Sequence, residues 1–470
     1  MTKRDGLTAG KAGLAPARRM LPALLLAIFA ASALVIGMPK DSSANAEGGY
    51  SYTGVASCAG STCHGRSEGN GTVVRQDEIA TWQSPAAVSG AHSRAYSLLA
   101  GRRGRQIAQS LGWDNAASRS ECLGCHATYV PASERGPRFH TSDGVGCESC
   151  HGAAAGWLAS HYGVAGSHAN NVGNGLVPLE QPQVRARVCL DCHYGSADEG
   201  QFVTHAMMAA GHPRVSFELD LFSAFQQHHD EDADYLQRKG ATDNVQLWAV
   251  GQAEAVARAT DLFARPDLAT EGVFPEFYFY DCHSCHRPIT DGPERRLTFE
   301  TNPQRPIPFG QPPFNDENII MLDAVAQALA PSRADAFRAA SRNFHDAMDE
   351  GRPQAQAAAM ALRTEAARLS DALAARSYGG NDAFEVIATI GNRTTSSRFT
   401  DYTGSAQAVM AVDTLLNALV TQGRITVGAA AGIRSDINRA YQAVRSPESY
   451  NPSEFRSALG NAVNAIGRLR

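Results

Sequence analysis

The sequence predicts a mostly α-helical protein with little sheet, built in two successive parts. Two observations carry that expectation. Ten cysteines fall into five local Cys-to-His clusters between residues 58 and 286, and no simple repeat generates them. Beyond residue 313 the chain turns Ala-rich, with apolar residues recurring every three or four positions, which is the period of a helix. The 470 residues give room for two or three domains of ordinary size. A formal charge of -5 with 19% charged residues argues against nucleic acid as a partner, which calls for clustered Lys and Arg facing phosphates.

The first 46 residues have the form of an export signal. Lys3, Arg4, Lys11, Arg18 and Arg19 make a basic opening, Leu21 to Met38 is almost wholly apolar, and Ala44-Asn45-Ala46 supplies small residues at the positions read by signal peptidase. Cleavage is expected after Ala46. The alternative is an uncleaved N-terminal anchor, because an apolar run of about 18 residues sits at the lower limit for spanning a bilayer. Either way the remainder is expected outside the cytoplasm, in the periplasm, where free thiols ordinarily oxidise.

All ten cysteines are used by the clusters: Cys58-Ala-Gly-Ser-Thr-Cys63-His64, Cys122-Leu-Gly-Cys125-His126, Cys147-Glu-Ser-Cys150-His151, Cys189-Leu-Asp-Cys192-His193 and Cys282-His283-Ser284-Cys285-His286. Two thiols that add across the two vinyl groups of one haem hold the next histidine beneath the iron, as its proximal ligand. The first cluster has four residues between its cysteines and needs a looped-out backbone. Structural zinc and disulfides are the sober alternatives, but neither gives a reason for histidine after every pair. The expected cofactor is therefore haem c, five groups covalently bound, with His64, His126, His151, His193 and His286 as proximal ligands.

Ten histidines remain for the other side of the irons, where neutral imidazole is a strong second ligand. His205 and His212 lie seven apart in the stretch from Thr204 to Phe217, so a helix there would put both rings on one face. His92 opens a helical pattern, and His161 follows the third cluster closely enough to fold back over a haem, with His168 as its competitor. For the fifth position the choice lies between His345, His229 or none. His228 and His229 precede the acidic run Asp230-Glu231-Asp232, which suits a solvated surface but also a carboxylate that orients an imidazole on iron.

Residues 47–290 are expected to form a pentahaem cytochrome domain. The 25-residue gap between His126 and His151 suggests that the second and third haems are close. Tyr235 to Phe263 has helical periodicity, interrupted by Gly240 and Gly251. Six prolines within 291–313 mark a linker, and 314–470 is expected to be a helical C-terminal region without a metal site. Ser332 and Asp335 resemble a capping box, and apolar stripes run through Val409, Val412, Leu416, Leu419 and Val420 and through Phe455, Leu459, Val463 and Ile466.

Several of these stretches resemble a known family. Trp82-Gln-Ser84 through Ala91-His92-Ser-Arg-Ala95, Cys122-Leu-Gly-Cys125-His126-Ala-Thr128 and Gly144-Val-Gly-Cys147-Glu-Ser-Cys150-His151-Gly152 resemble the multihaem cytochromes c typified by the tetrahaem electron acceptor of hydroxylamine oxidoreductase. Thr204-His205 through His212-Pro213-Arg214 and Pro275-Glu276-Phe277 before the fifth cluster are similar to larger bacterial cytochrome c family proteins. The resemblance covers roughly Ser57 to Pro288. It implies a mostly α-helical shell around closely packed haem pairs, with His92 and His161 as distal ligands. The chain departs from the tetrahaem pattern in its first cluster, its fifth haem and its long helical tail.

The leading expectation is periplasmic electron transfer between redox partner proteins, whether soluble or within a membrane-bound respiratory complex. The alternative is a haem oxidoreductase acting on a small nitrogen or sulfur compound at a five-coordinate haem. The Cys-x-x-Cys-Lys attachment common to the active haem of pentahaem nitrite reductases does not occur. The C-terminal helices would cover haem edges or serve docking or oligomer formation.

Overall fold

The computed structural model describes residues 51–69, 75–164, 166–214, 216–268, 276–286, 312–397 and 399–470. The export-like segment 1–46 and all but the last two residues of the Pro-rich stretch 291–313 lie outside the described residues. The described residues are mostly α-helical, and among them extended pairing is confined to two isolated bridges, Tyr52 with Arg135 and Tyr280 with Phe314.

The cysteine-bearing part is made of short helices joined by turns. In order they are α1 (Glu78–Trp82), α2 (Ala91–Leu99), α3 (Arg102–Ser110), α4 (Ser120–His126), α5 (Cys147–His151), α6 (Leu158–His161), α7 (His168–Gly173), α8 (Pro182–His193), α9 (His205–Ala209), α10 (Leu219–Phe225) and α11 (Ala233–Lys239). The long α12 (Asn244–Ala264) and the single turn α13 (Cys282–Cys285) follow. Apart from α12 they are too short to hold together in isolation, since helices under ~12–15 residues are marginal in water. What they share is placement. Four of the five clusters sit on helical turns, where residues i, i+3 and i+4 project from one face, so both thiols and the ring of one cluster point the same way.

Two stretches break differently from their sequence pattern. The segment 204–217 does not run as one helix: α9 stops at Ala209 and Gly211 takes φ +113°, a left-handed conformation that suits glycine, so His212 leaves the helix instead of sharing a face with His205. The stretch 235–263 divides at Gly240 into α11 and α12, whereas Gly251 leaves α12 unbroken.

The C-terminal part consists of long helices: α14 (Glu317–Leu329), α15 (Pro331–Glu350), α16 (Arg352–Ala374), α17 (Asp382–Thr394), α18 (Tyr402–Thr421), α19 (Val427–Ala443) and α20 (Pro452–Gly467). The stripes read from the sequence face inward, with Val409, Val412, Leu416, Leu419, Phe455, Leu459 and Ile466 buried. The capping box does not form. Pro331 occupies the first turn of α15, which begins two residues earlier than expected, Ser332 makes no cap, and Asp335 is exposed beside Arg338. The C-terminal helices pack on α12, which lies against α14, α16 and α18 and buries Trp248, Leu262 and Phe263 completely. Phe263, Phe279, Phe314 and Phe344 meet there edge to face, with centroids 4.9–5.7 Å apart.

Candidate metal centres

Each cluster presents its histidine next to its first cysteine. In the fifth, His286 N donates to Cys282 O at 2.8 Å, the ordinary bond of a helical turn. The first cluster closes the same bond across two more residues, His64 N to Cys58 O at 3.1 Å, so the extra residues bulge out and the ring stays beside the thiol. The loop is tight enough that a Cβ on Gly65 would lie 2.0 Å from Ala59 O. None of the ten cysteines is paired in a disulfide.

The five cluster histidines each face another imidazole. His64 and His161 have ring centres 6.0 Å apart, His126 and His212 6.2 Å, His193 and His92 6.1 Å, and His286 and His205 6.3 Å. His151 faces two rings, His228 at 6.2 Å and His229 at 5.9 Å. Among the described residues, one nitrogen from each of these three lies within 4.8 Å of the others, the densest such grouping of donors. Two imidazoles on opposite sides of one metal, with metal–nitrogen bonds of ~2 Å and ring centres ~1 Å further out, stand roughly 6 Å apart. All five facing pairs match that separation.

The second nitrogen of several rings is already committed. His126 Nδ1 lies 2.9 Å from Ala95 O, His212 Nδ1 2.8 Å from Pro213 O and His228 Nδ1 2.6 Å from Gln226 O. A carbonyl only accepts, so each Nδ1 carries the hydrogen, and in the neutral ring Nε2 keeps the lone pair a metal takes. Burial favours that neutral form, pulling His151 down to about 3 and His193 and His228 to about 4, and lowering His92, His161 and His212. His64 moves the other way because Glu78 hydrogen-bonds to its Nδ1 at 3.0 Å. Burial by itself would raise the Glu78 carboxyl, but His229 and His64 outweigh it and hold the group well below the usual carboxylate range. The buried His193 Nδ1 has no hydrogen-bond partner among the described residues, and its ring is held instead by Phe222, 5.0 Å away.

Three of the four remaining histidines are engaged elsewhere. His345 is buried with Nδ1 2.7 Å from Ser341 O and Nε2 2.9 Å from Asp316 Oδ1, which occupies both nitrogens. His168 sits 2.7 Å from Glu180, and His283 turns toward Pro447 O at 2.8 Å. Sequence reasoning left His228 and His229 ambiguous because of the acidic run behind them, and it missed Glu78, which has no motif and lies 14 residues beyond His64.

The clusters also touch one another. A Cys147–Cys58 hydrogen bond lowers the Cys58 thiol, and a Cys192–Cys125 bond lowers Cys125. Burial and then the charge of Cys150 push Cys189 up to about 12, and α5 of the third cluster packs on α8 of the fourth. Hydrogen bonds also join these clusters: Gly54 N, just before the first, donates to Glu148 Oε2 in the third at 2.8 Å, and Cys192 Sγ of the fourth lies 3.6 Å from Gly124 O of the second. The expected closeness of the second and third runs through Thr128, whose hydroxyl lies 2.7 Å from Ser149 Oγ.

Residues 57–152, which span the first three clusters, match the family model described as cytochrome c554 and c-prime. The match ties this segment to the c-type cytochromes, and with them to covalently bound haem and haem-based electron transfer. No curated protein and no solved structure matches the chain. The residues fit the group on their own chemistry: a pair of thiols stands beside each pair of imidazoles, at the spacing two axial ligands require.

Proposed function

We propose that the chain moves electrons in the periplasm through five covalently attached c-type haems, each held between two histidines. The supporting observation is the set of five facing imidazole pairs at 5.9–6.3 Å. Haem would be attached by Cys58 and Cys63, Cys122 and Cys125, Cys147 and Cys150, Cys189 and Cys192, and Cys282 and Cys285. The axial pairs would be His64 with His161, His126 with His212, His151 with the His228–His229 pair, His193 with His92, and His286 with His205. When bound, the haems supply the one-electron couple.

The protein's contribution is arrangement. Packing links the first cluster to the third through Gly54 N and Glu148, the third to the fourth through α5 on α8, and the fourth to the second through Cys192 Sγ and Gly124 O, and the segment carrying His205 and His212 joins the second to the fifth. That order is a continuous relay, which electron tunnelling requires because its rate falls steeply with distance. Nδ1 partners hold the rings of His64, His126, His212 and His228 in place, and burial favours the neutral ring at His92, His151, His161, His193, His212 and His228, which together help set the balance between oxidised and reduced iron. An enzyme acting at a five-coordinate haem would need a cluster histidine with nothing opposite, and each of the five faces a ring. Soluble redox proteins or a membrane-bound respiratory complex would be donor and acceptor. Among the described residues no helix is long and apolar enough to cross a membrane.

Mass spectrometry of the mature chain tests the attachment sites. The expected mass is that of the chain cut after Ala46 plus five haems, with haem on the peptide holding Cys58 and Cys63. A chain carrying four haems, with those two cysteines free, would contradict the reading.

A further inference from the structure

Resting on that five-haem reading, we propose that Glu78 is a positioning residue shared by two haem centres, bridging the Nδ1 atoms of His64 at the first and His229 at the third. Its two carboxylate oxygens are divided between the rings: Oε2 lies 3.0 Å from His64 Nδ1, and Oε1 lies 3.5 Å from His229 Nδ1. The side chain is buried, and Oε1 has no hydrogen-bond partner among the described residues, so His229 is the polar group it is aimed at.

The surroundings are built to keep it there. The backbone of α1 is fastened to the first cluster, where Ile79 N donates to His64 O at 3.1 Å. It is fastened to the third by Trp82 Nε1, which donates to Val145 O at 3.1 Å, two residues before Cys147. On the other side Arg75 reaches both Asp77, at 2.9 Å, and Asp230, at 3.5 Å, and so ties the residue before Glu78 to the residue after His229. Three separate links thus converge on one five-residue helix between two clusters that are themselves tied by Gly54 N donating to Glu148 Oε2 at 2.8 Å.

A carboxylate behind a ligating histidine fixes the ring and makes it a stronger donor, which favours the oxidised metal. The ring centre of His229 lies closer to His151, 5.9 Å against 6.2 Å for His228, and its Nδ1 faces the carboxylate, so His229 is assigned as the ligand opposite His151. One charge then acts on two irons, and removing it raises both potentials together.

The test is a redox titration of the haem-loaded full chain, followed optically and by paramagnetic resonance. In Glu78→Gln two of the five reduction steps move to higher potential, the low-spin signals of two haems shift and three stay in place. Glu78→Asp, which keeps the charge, recovers part of both shifts. His229→Ala turns one low-spin haem high-spin, and His228→Ala leaves all five low-spin. Movement of one step or none in Glu78→Gln overturns the bridge, as does a high-spin signal in His228→Ala with none in His229→Ala. Should Glu78→Gln fail to accumulate, the histidine pair decides alone. Fewer than five low-spin haems in the unsubstituted protein would overturn the underlying reading, and this inference with it.

Discussion

The two parts of the chain solve the problem of holding a fold in opposite ways. From α14 to α20 the helices are 13 to 23 residues long and share with α12 one apolar core, in which Phe337, Phe344, Leu369, Leu416 and Phe455 are wholly buried. From Ser51 to Lys239 most helices have four to nine residues; Ala186, Leu190, Tyr194, Phe217 and Leu219 join the large core, and what remains is a separate small apolar cluster with Leu99, Ala108, Ala116, Cys122, Leu123 and Ala127 as buried members. Apolar burial at ~25 cal/mol per Å² can stabilise the first kind of structure and has little to act on in the second. What the cysteine-bearing part does have in quantity is thiols and imidazoles in matched sets. On the five-haem proposal, the difference teaches that a polypeptide can leave much of its packing to prosthetic groups, each tied in by two thioethers and two rings.

The largest effect that would break this comparison comes from making the chain without haem attachment. Hydrogen exchange should then show residues 51–240 losing protection while α12 and α14 to α20 keep theirs, and circular dichroism should retain the helical signal of the latter. Uniform loss across the chain would mean the two parts do not differ as described. Next in size, Phe344→Ala removes a fully buried ring that packs on Phe263 and Phe314, at a cost of about 3–5 kcal/mol. Calorimetry should record that loss while the haem absorption bands stay unchanged.

A smaller, pH-dependent effect sits on the seam. Glu218 is buried, Thr414 donates to it at 3.0 Å, and burial followed by the charge of Asp220 pushes its carboxyl up to about 8. Its folded value lies above its ordinary value of 4.5, so the unfolded chain gives up that proton first as pH rises. Stability contributed here is full below pH 4.5 and declines toward pH 8 by on the order of a few kcal/mol. The thermal midpoint of Glu218→Gln, followed across that window, should lack this decline. Smallest of all, Ser332→Ala should change stability by less than ~0.5 kcal/mol, because Pro331 opens α15 without it.

What could be read in advance follows from how local each signal is. The clusters are contiguous, so their chemistry was visible in the residues themselves, and the three- and four-residue stripes of α18 and α20 announced which faces turn inward. His92, His161, His205 and His212 stood out as spare imidazoles, and each faces a cluster ring. Which ring each one faces was not legible. His92 meets His193 and His205 meets His286 across 101 and 81 residues, distances along the chain that only tertiary packing can close. Gly211 turned an expected single helical face into two separate destinations. Glu78 was invisible because a carboxylate that serves two rings from a five-residue helix leaves no periodicity behind.

The central claim, that every iron sits between two histidines, is tested most directly by low-temperature paramagnetic resonance of the fully oxidised protein. The account predicts low-spin ferric signals that integrate to five haems per chain and do not change on adding nitrite or hydroxylamine. A high-spin component that shifts when either compound is added would contradict it.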